Sequence, residues 1–169
     1  PAPHSAARRI RWRRWSVEAV VALIMFVALG EWLTRDVVRG PLPSLGGTLL
    51  DATPVAQWQG SARGRAHLVY VWAAWCGICK AMQGNVDAVA ADSALVTIAM
   101  QSGADEQVRT YLEARGQSWP TLNDPQGGAS RRLGVSSVPM LLFVDRRGAI
   151  RSVTRGYTFE EGIRARLWG

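Results

Sequence analysis

The sequence holds few of the residues that bind metals or build disulfide scaffolds. Among 169 residues there are two cysteines, Cys76 and Cys79, and two histidines, His4 and His67. A structural zinc site takes about four ligands, and neither histidine stands at ligand spacing from the cysteines, so no metal-binding residues are assigned. One bridge is too few for a scaffold stapled by disulfides. Across so short a loop it would also remove little unfolded-state entropy. Two thiolates still leave room for copper(I). Internal repeats and low-complexity runs are absent. An aromatic-interleaved basic patch is absent too, which argues against nucleic acid as a partner.

Charge of one sign is scarce where a binding surface would need it. The net charge is +7, with 48% hydrophobic and 20% charged residues. That composition excludes a disordered chain. Residues 1–40 carry seven arginines against three acids, or +4, and the rest carries thirteen basic against ten acidic residues, or +3. The high pI thus owes more to the first forty residues than to a charged face further on.

What is present begins with that N-terminal stretch. Residues 1–14 form a basic tail ending in an arginine cluster at 8–14. Residues 15–33 are mostly apolar, with Glu18 and Glu31 near the ends. At 1.5 Å per residue, nineteen residues span roughly 28 Å, close to the thickness of a bilayer core. Trp12, Trp15 and Trp32 stand where interfacial aromatics belong, and the arginines place the N-terminus in the cytoplasm. The expectation is a signal anchor with everything after it across the membrane. The competing reading is a signal peptide cleaved after Ala28-Leu29-Gly30. Both export the remainder to the same compartment.

The most specific chemistry lies in Trp75-Cys76-Gly77-Ile78-Cys79-Lys80. An apolar run at 68–72 precedes it and a helical pattern over 80–91 follows. A strand that delivers a Cys-x-x-Cys to a helix N-terminus has a chemical use. Backbone N–H groups and the positive end of the helix dipole stabilise a thiolate on the first cysteine. Cys79 stands three positions on and can attack a mixed disulfide formed at Cys76, so the pair can carry two electrons. Trp75, beside the first cysteine, reads as partly exposed apolar surface for docking a partner chain.

Residues 34–47 read as a Pro/Gly-rich linker, and residues 48–55 as a short hairpin, with loop over 57–65. Strand patterns recur at 66–72, 95–100, 140–144 and 149–153. Asp145-Arg146-Arg147-Gly148 joins the last two as a hairpin turn. Helical patterns fit 80–91, 105–114, 128–133 and 159–167, with Asp105 as an N-cap. Alternating strands and helices followed by a hairpin predict an α/β domain, a central mixed sheet with helices on both faces. Val138-Pro139 directly precedes a strand, and X-Pro is the one common place for a cis peptide bond.

With these motifs in place, the chain resembles the thioredoxin superfamily over 48–169. The strand and turn from Val69 to Lys80 carry the likeness. The hairpin before it and the helix–strand insert at 101–125 resemble the membrane-anchored TlpA-like branch. Val96 to Gly103, Leu122 to Pro125, Val144 to Gly148 and the C-terminal stretch from Gly156 are similar to the suppressor-of-copper-sensitivity D (ScsD) type. The resemblance implies a thioredoxin-like fold and a protein thiol-disulfide oxidoreductase, a reductase before an oxidase. It implies Cys76 as the attacking thiol and Cys79 as the resolving one, with Pro139 as the cis-proline. Gly77, Ile78, Val138 and Trp75 would dock substrate. No cofactor beyond the dithiol is implied. The implied partners are exported disulfide-bearing clients and a membrane electron donor of the DsbD type, with the catalytic domain in the periplasm and the anchor in a bacterial inner membrane. The chain departs from the pattern at two positions. Tyr70 stands where thioredoxin keeps a buried acid, and Met82 where many TlpA-like proteins have Glu. Lys80 and Tyr70 are therefore the candidate residues for tuning the thiolate. Copper(I) binding for metal tolerance and a dedicated role in cytochrome c maturation are the alternatives. Copper chaperones usually place Met where Ala74 stands.

Overall fold

The computed structural model describes residues 4–168, giving backbone alone for 4–14, 16, 31 and 33. The chain divides into two compact units, 1–35 and 36–169. The first is one helix, α1 (His4–Thr34). Its described apolar side chains between 17 and 29 are exposed, Phe26 at 75%. Among the described residues no helix is long and apolar enough to cross a membrane. The arginine cluster at 8–14 and the side chains at 16, 31 and 33, on which the anchor expectation rests, lie outside the described residues.

The second unit is built on six strands: β1 (Gly40–Pro41), β2 (His67–Trp72), β3 (Ala94–Met100), β4 (Thr121–Asp124), β5 (Met140–Val144) and β6 (Ala149–Arg155). Their order across the sheet is β1-β6-β5-β2-β3-β4. β2, β3 and β4 run parallel, while β5, β6 and β1 pair antiparallel. Five helices pack around them: α2 (Val55–Ser61), α3 (Gly77–Ala90), α4 (Asp105–Glu113), α5 (Gly128–Arg132) and α6 (Glu160–Trp168).

β2 explains the architecture. All six of its residues are buried, as a central strand covered on both faces requires. Leu68, Tyr70 and Trp72 point into one cluster with Met82 and Val86 of α3, Val108 of α4 and Ile163 of α6. Val69 and Val71 point into the other, with Val55, Leu133 and Ile150. This period of two separates the layers. The expected α/β fold, a mixed sheet covered on both faces, is present.

The structure differs from the sequence reading in several places. Residues 36–47 are not a free linker. Val37 and Leu45 are buried, β1 pairs with β6, and Arg132 donates to the Leu45 carbonyl. Gly134, at φ +71°, allows the Asp36 carbonyl to approach, and a Cβ there would collide with it. Residues 48–55 do turn back on themselves as expected, through a Thr48–Pro54 antiparallel bridge and a Leu49 N–H to Thr53 carbonyl bond at 2.8 Å around a tight turn at Ala52, but they form no strand of the sheet. α2 occupies much of the expected loop. β4 is the strand of the 101–125 insert that the resemblance implied, although Thr121-Leu122-Asn123-Asp124 has no apolar run to mark it. It is held by pairing with β3, including a buried 2.8 Å bond between the Thr97 and Thr121 hydroxyls. Asp105 opens α4 as its first residue, not its cap. The N-cap is Ala104, whose N–H donates to Gln107 Oε1 at 2.8 Å.

Candidate functional site: a dithiol at a helix N-terminus

β2 is the strand at which the sheet changes from parallel to antiparallel pairing. The chain leaves its C-terminal end directly into the cysteine pair. Clefts at the carboxyl ends of parallel strands are where α/β folds place their chemistry.

Cys76 is the N-cap of α3. It is bridged to Cys79, with Cα atoms 5.2 Å apart. The Cys79 N–H donates to Cys76 Sγ at 3.1 Å, and the Lys80 N–H donates to the Cys76 carbonyl at 3.2 Å. No acid occupies the first turn of α3. On reduction, the same N–H and the helix dipole favour a thiolate at Cys76. Cys76 is 6% exposed and Cys79 fully buried. The first sulfur thus lies at the rim of the core, less open than the sequence suggested, and the second lies beneath it.

The turn before Cys76 is pinned to the end of β3. The Ala74 N–H donates to Ser102 Oγ at 3.0 Å, and Ser102 Oγ donates to the Met100 carbonyl. Trp75 is 61% exposed, and its Nε1 donates to the Gln101 carbonyl at 3.0 Å. Gln101 sits in the left-handed region, at φ 49°, which non-glycine residues rarely visit. Gln101 and Ser102 were not found by sequence reasoning. Their role is to fix a loop that lies 26 to 28 residues earlier in the chain, and the pairing of β2 with β3 brings them there.

Gly77 and Ile78 are exposed on the first turn of α3, Ile78 at 50%. The Val138-Pro139 bond is cis. Register places it at this end of the sheet, because Val71 pairs with Met140, the next residue. Val138 is half-buried and packs against both core clusters. The Pro139 carbonyl accepts from the Gly156 N–H at 3.0 Å. That bond brings in two further exposed aromatics, Tyr157 and Phe159, in edge-to-face contact at 5.0 Å. The Tyr157 hydroxyl accepts from Asn85 of α3 at 3.2 Å, while Trp75 and Ile78 are the exposed apolar residues flanking the cysteines.

The two proposed tuning residues fare differently. Lys80, the only lysine in the sequence, is exposed on α3. Tyr70 is fully buried, its hydroxyl has no hydrogen-bond partner, and burial pushes its pKa up. It therefore stays a neutral phenol at working pH and supplies no negative charge beneath Cys79. Trp72 stacks on Tyr111 at 5.2 Å and meets Trp119 edge-on. Trp119 Nε1 donates to Asp87 at 2.8 Å. An aromatic cluster thus stands where the superfamily pattern expects a carboxylate. Among the described residues no group of three or more His, Cys, Asp or Glu could hold a metal ion.

The fold and the bridged Cys-x-x-Cys at the head of α3 define a thioredoxin-like protein with a redox-active cysteine pair. Residues 40–165 match the Redoxin family profile, and the chain belongs to that family. A thioredoxin-like protein of Haemophilus influenzae is 29% identical over 102 residues. That stretch is 60% of this chain, and the chain spans about 60% of that relative's length. Among solved structures, MTB DsbF in mixed oxidised and reduced forms has a TM-score of 0.63 at 22% identity, covering 75% of this chain and 96% of that one. A secreted Mycobacterium tuberculosis disulfide oxidoreductase homologous to E. coli DsbE has a TM-score of 0.61 at 21% identity, covering 72% and 92%. The structural likenesses show a shared fold.

Proposed function

We propose that this chain is a protein thiol-disulfide oxidoreductase of the ScsD type, tethered by its N-terminal helix and reducing disulfides outside the cytoplasm. The observation that carries the reading is the Cys76–Cys79 bridge at the N-terminus of α3, with the first sulfur at the rim and the second fully buried. In the reduced protein, the Cys76 thiolate attacks one sulfur of a client disulfide. The client's other sulfur leaves as a thiolate. Cys79 then attacks Cys76 Sγ, the bridge closes, and the second client sulfur departs. Two electrons have passed to the client, and a membrane dithiol donor of the DsbD type restores the pair.

The exported placement is supported by the basic-then-apolar N-terminus and by the exposed apolar side chains of α1. The relative described as secreted is consistent with it. Client docking falls to the apolar surface of Trp75, Ile78 and Val138.

The test uses the full chain in detergent with an insulin-type disulfide substrate. Cys76→Ser is expected to abolish turnover. Cys79→Ser is expected to accumulate mixed disulfides with client, because no thiol remains to resolve them. Multi-turnover activity of Cys79→Ser at the wild-type rate would overturn the assigned roles. Thiol trapping in intact cells reads the direction. A mostly reduced pair is expected, and a mostly oxidised pair would make the protein an oxidase.

A further inference from the structure

The strongest unassigned feature lies at the end of the sheet opposite the dithiol. There the start of β2, the start of β3 and the end of β5 frame an open cleft of about 480 Å³. Its size suits a small molecule rather than a folded partner. Four arginines line it, Arg65, Arg146, Arg151 and Arg166, against two acids, Asp92 and Asp145. The lining therefore carries 4 − 2 = +2.

Both acids are already committed. Asp145 accepts from the N–H groups of Arg147 and Ala149 at 2.8 and 3.0 Å, and pairs with Arg151 at 3.5 Å. Asp92 pairs at 2.7 Å with Arg164, outside the cleft lining. Arg166 donates to the Gly162 carbonyl. Among the described residues, the guanidinium groups of Arg65 and Arg146 have no hydrogen bond or ion pair. They come from different segments, Arg65 just before β2 and Arg146 in the β5–β6 turn. These turns are tied together by the Gly64 N–H, which donates to the Arg146 carbonyl at 3.2 Å. One bond thus holds two uncommitted cations at one mouth. Apart from Ser93, whose hydroxyl donates to Asp92, the rest of the lining is apolar or glycine. Phe143 and Leu167 are buried, and Trp168 is 64% exposed.

We propose that this cleft binds a small phosphate monoester with an apolar or flat body, its phosphate held by Arg65 and Arg146. Guanidinium forks match phosphate oxygens bidentately, and one phosphate accepts from more than one fork at once. A carboxylate offers the pair two oxygens and one charge, a phosphate monoester three oxygens and up to two charges. A dianion also matches the net charge of the lining. The organic part then lies along Leu167 and Trp168. The site is separate from Cys76, so occupancy and thiol chemistry are measured independently.

Isothermal titration of the full chain in non-ionic detergent at low ionic strength tests this, with phenyl phosphate, inorganic phosphate and benzoate as probes. Phenyl phosphate is expected to bind saturably, at least tenfold more tightly than benzoate, and to weaken as the pH falls below about 6, where the monoester loses its second charge. The Arg65→Gln/Arg146→Gln double variant is expected to lose at least tenfold in affinity with its disulfide-reductase rate unchanged. Trp168→Ala is expected to weaken phenyl phosphate but not inorganic phosphate. Absence of saturable binding, equal affinity for benzoate, or undiminished binding by a folded double variant would each overturn the site.

Discussion

Residue by residue, the buried polar groups decide how much a single change costs. Asp124, buried at the end of β4, accepts from the Ala129 N–H, the Ser130 N–H and Ser130 Oγ at 3.1, 2.8 and 2.7 Å. It caps α5 from a strand. Asp124→Ala would orphan these donors inside the core, a loss of about 2–3 kcal/mol. Urea unfolding should show that loss as a lower midpoint at unchanged slope. His67 is the second case. It opens β2, packs edge-on against Trp58 at 5.4 Å, and contacts the Arg65 carbonyl through Nδ1. Burial lowers its pKa from 6.5. The folded state therefore binds that proton less readily than the unfolded chain does. Below pH 6.5 the unfolded state takes up more protons, so this group's contribution to stability falls as pH drops through 6.5 toward the depressed folded value. Unfolding free energies between pH 7.5 and 5.5 are expected to decrease, and His67→Phe should flatten that part of the slope. An unchanged slope in the variant would reassign the effect to other groups.

At the scale of elements, the edge of the sheet holds the main surprise. Residues 36–47 have the composition of a linker yet act as structure. Composition reports local flexibility in the free chain, whereas burial of Val37 and Leu45 depends on a groove formed by α5 and β6, far away in sequence. Each of these two fully buried side chains is worth about 1.5–3 kcal/mol. A fragment of residues 48–169 should therefore be less stable than one of 36–169 by roughly 3–6 kcal/mol, and it also loses β1. Matched urea curves for the two fragments check this. Coincident curves would return 36–47 to linker status. α2, and β4 apart from the resemblance, were hard to read for a related reason. Four residues are two strand periods and seven about two helical turns, too few repeats to stand out, and parallel pairing to β3 or closure over Val55 supplies what propensity lacks. The longer elements, β2, α3, β3, α4 and the β5–β6 hairpin, were legible because each carries enough apolar residues to show its period.

For the whole molecule, the proposed export of the redox domain rests on the N-terminal sequence. The arginine-rich tail and the apolar stretch after it predict a cytoplasmic N-terminus and an exported C-terminus. A reporter enzyme active only outside the cytoplasm, fused after Gly169, is expected to be active in cells. An inactive but intact fusion would remove both the export and the client class proposed above. Carbonate-washed membranes are expected to retain the chain. A soluble form trimmed after Gly30 would replace the anchor with a cleaved signal peptide and leave the compartment as proposed.

The amino-acid order by itself determined the chemistry and its immediate frame. An apolar strand, a Cys-x-x-Cys and a helix are contiguous from Leu68 to Ala90, and contiguous patterns need no distant partner to be read. The cis form of the X-Pro bond before β5 was expected only through the family resemblance, since an X-Pro dipeptide by itself is trans in most contexts. Tertiary structure alone decided what surrounds that frame. It put Gln101 and Ser102 against the active turn, Gly156 against Pro139, an aromatic cluster where a carboxylate was sought, and four arginines around a cleft at the far end. Each of these sets joins segments separated along the chain. Such contacts depend on strand order and register, and these follow from burying two opposite faces of β2 at once, which no local stretch of sequence records.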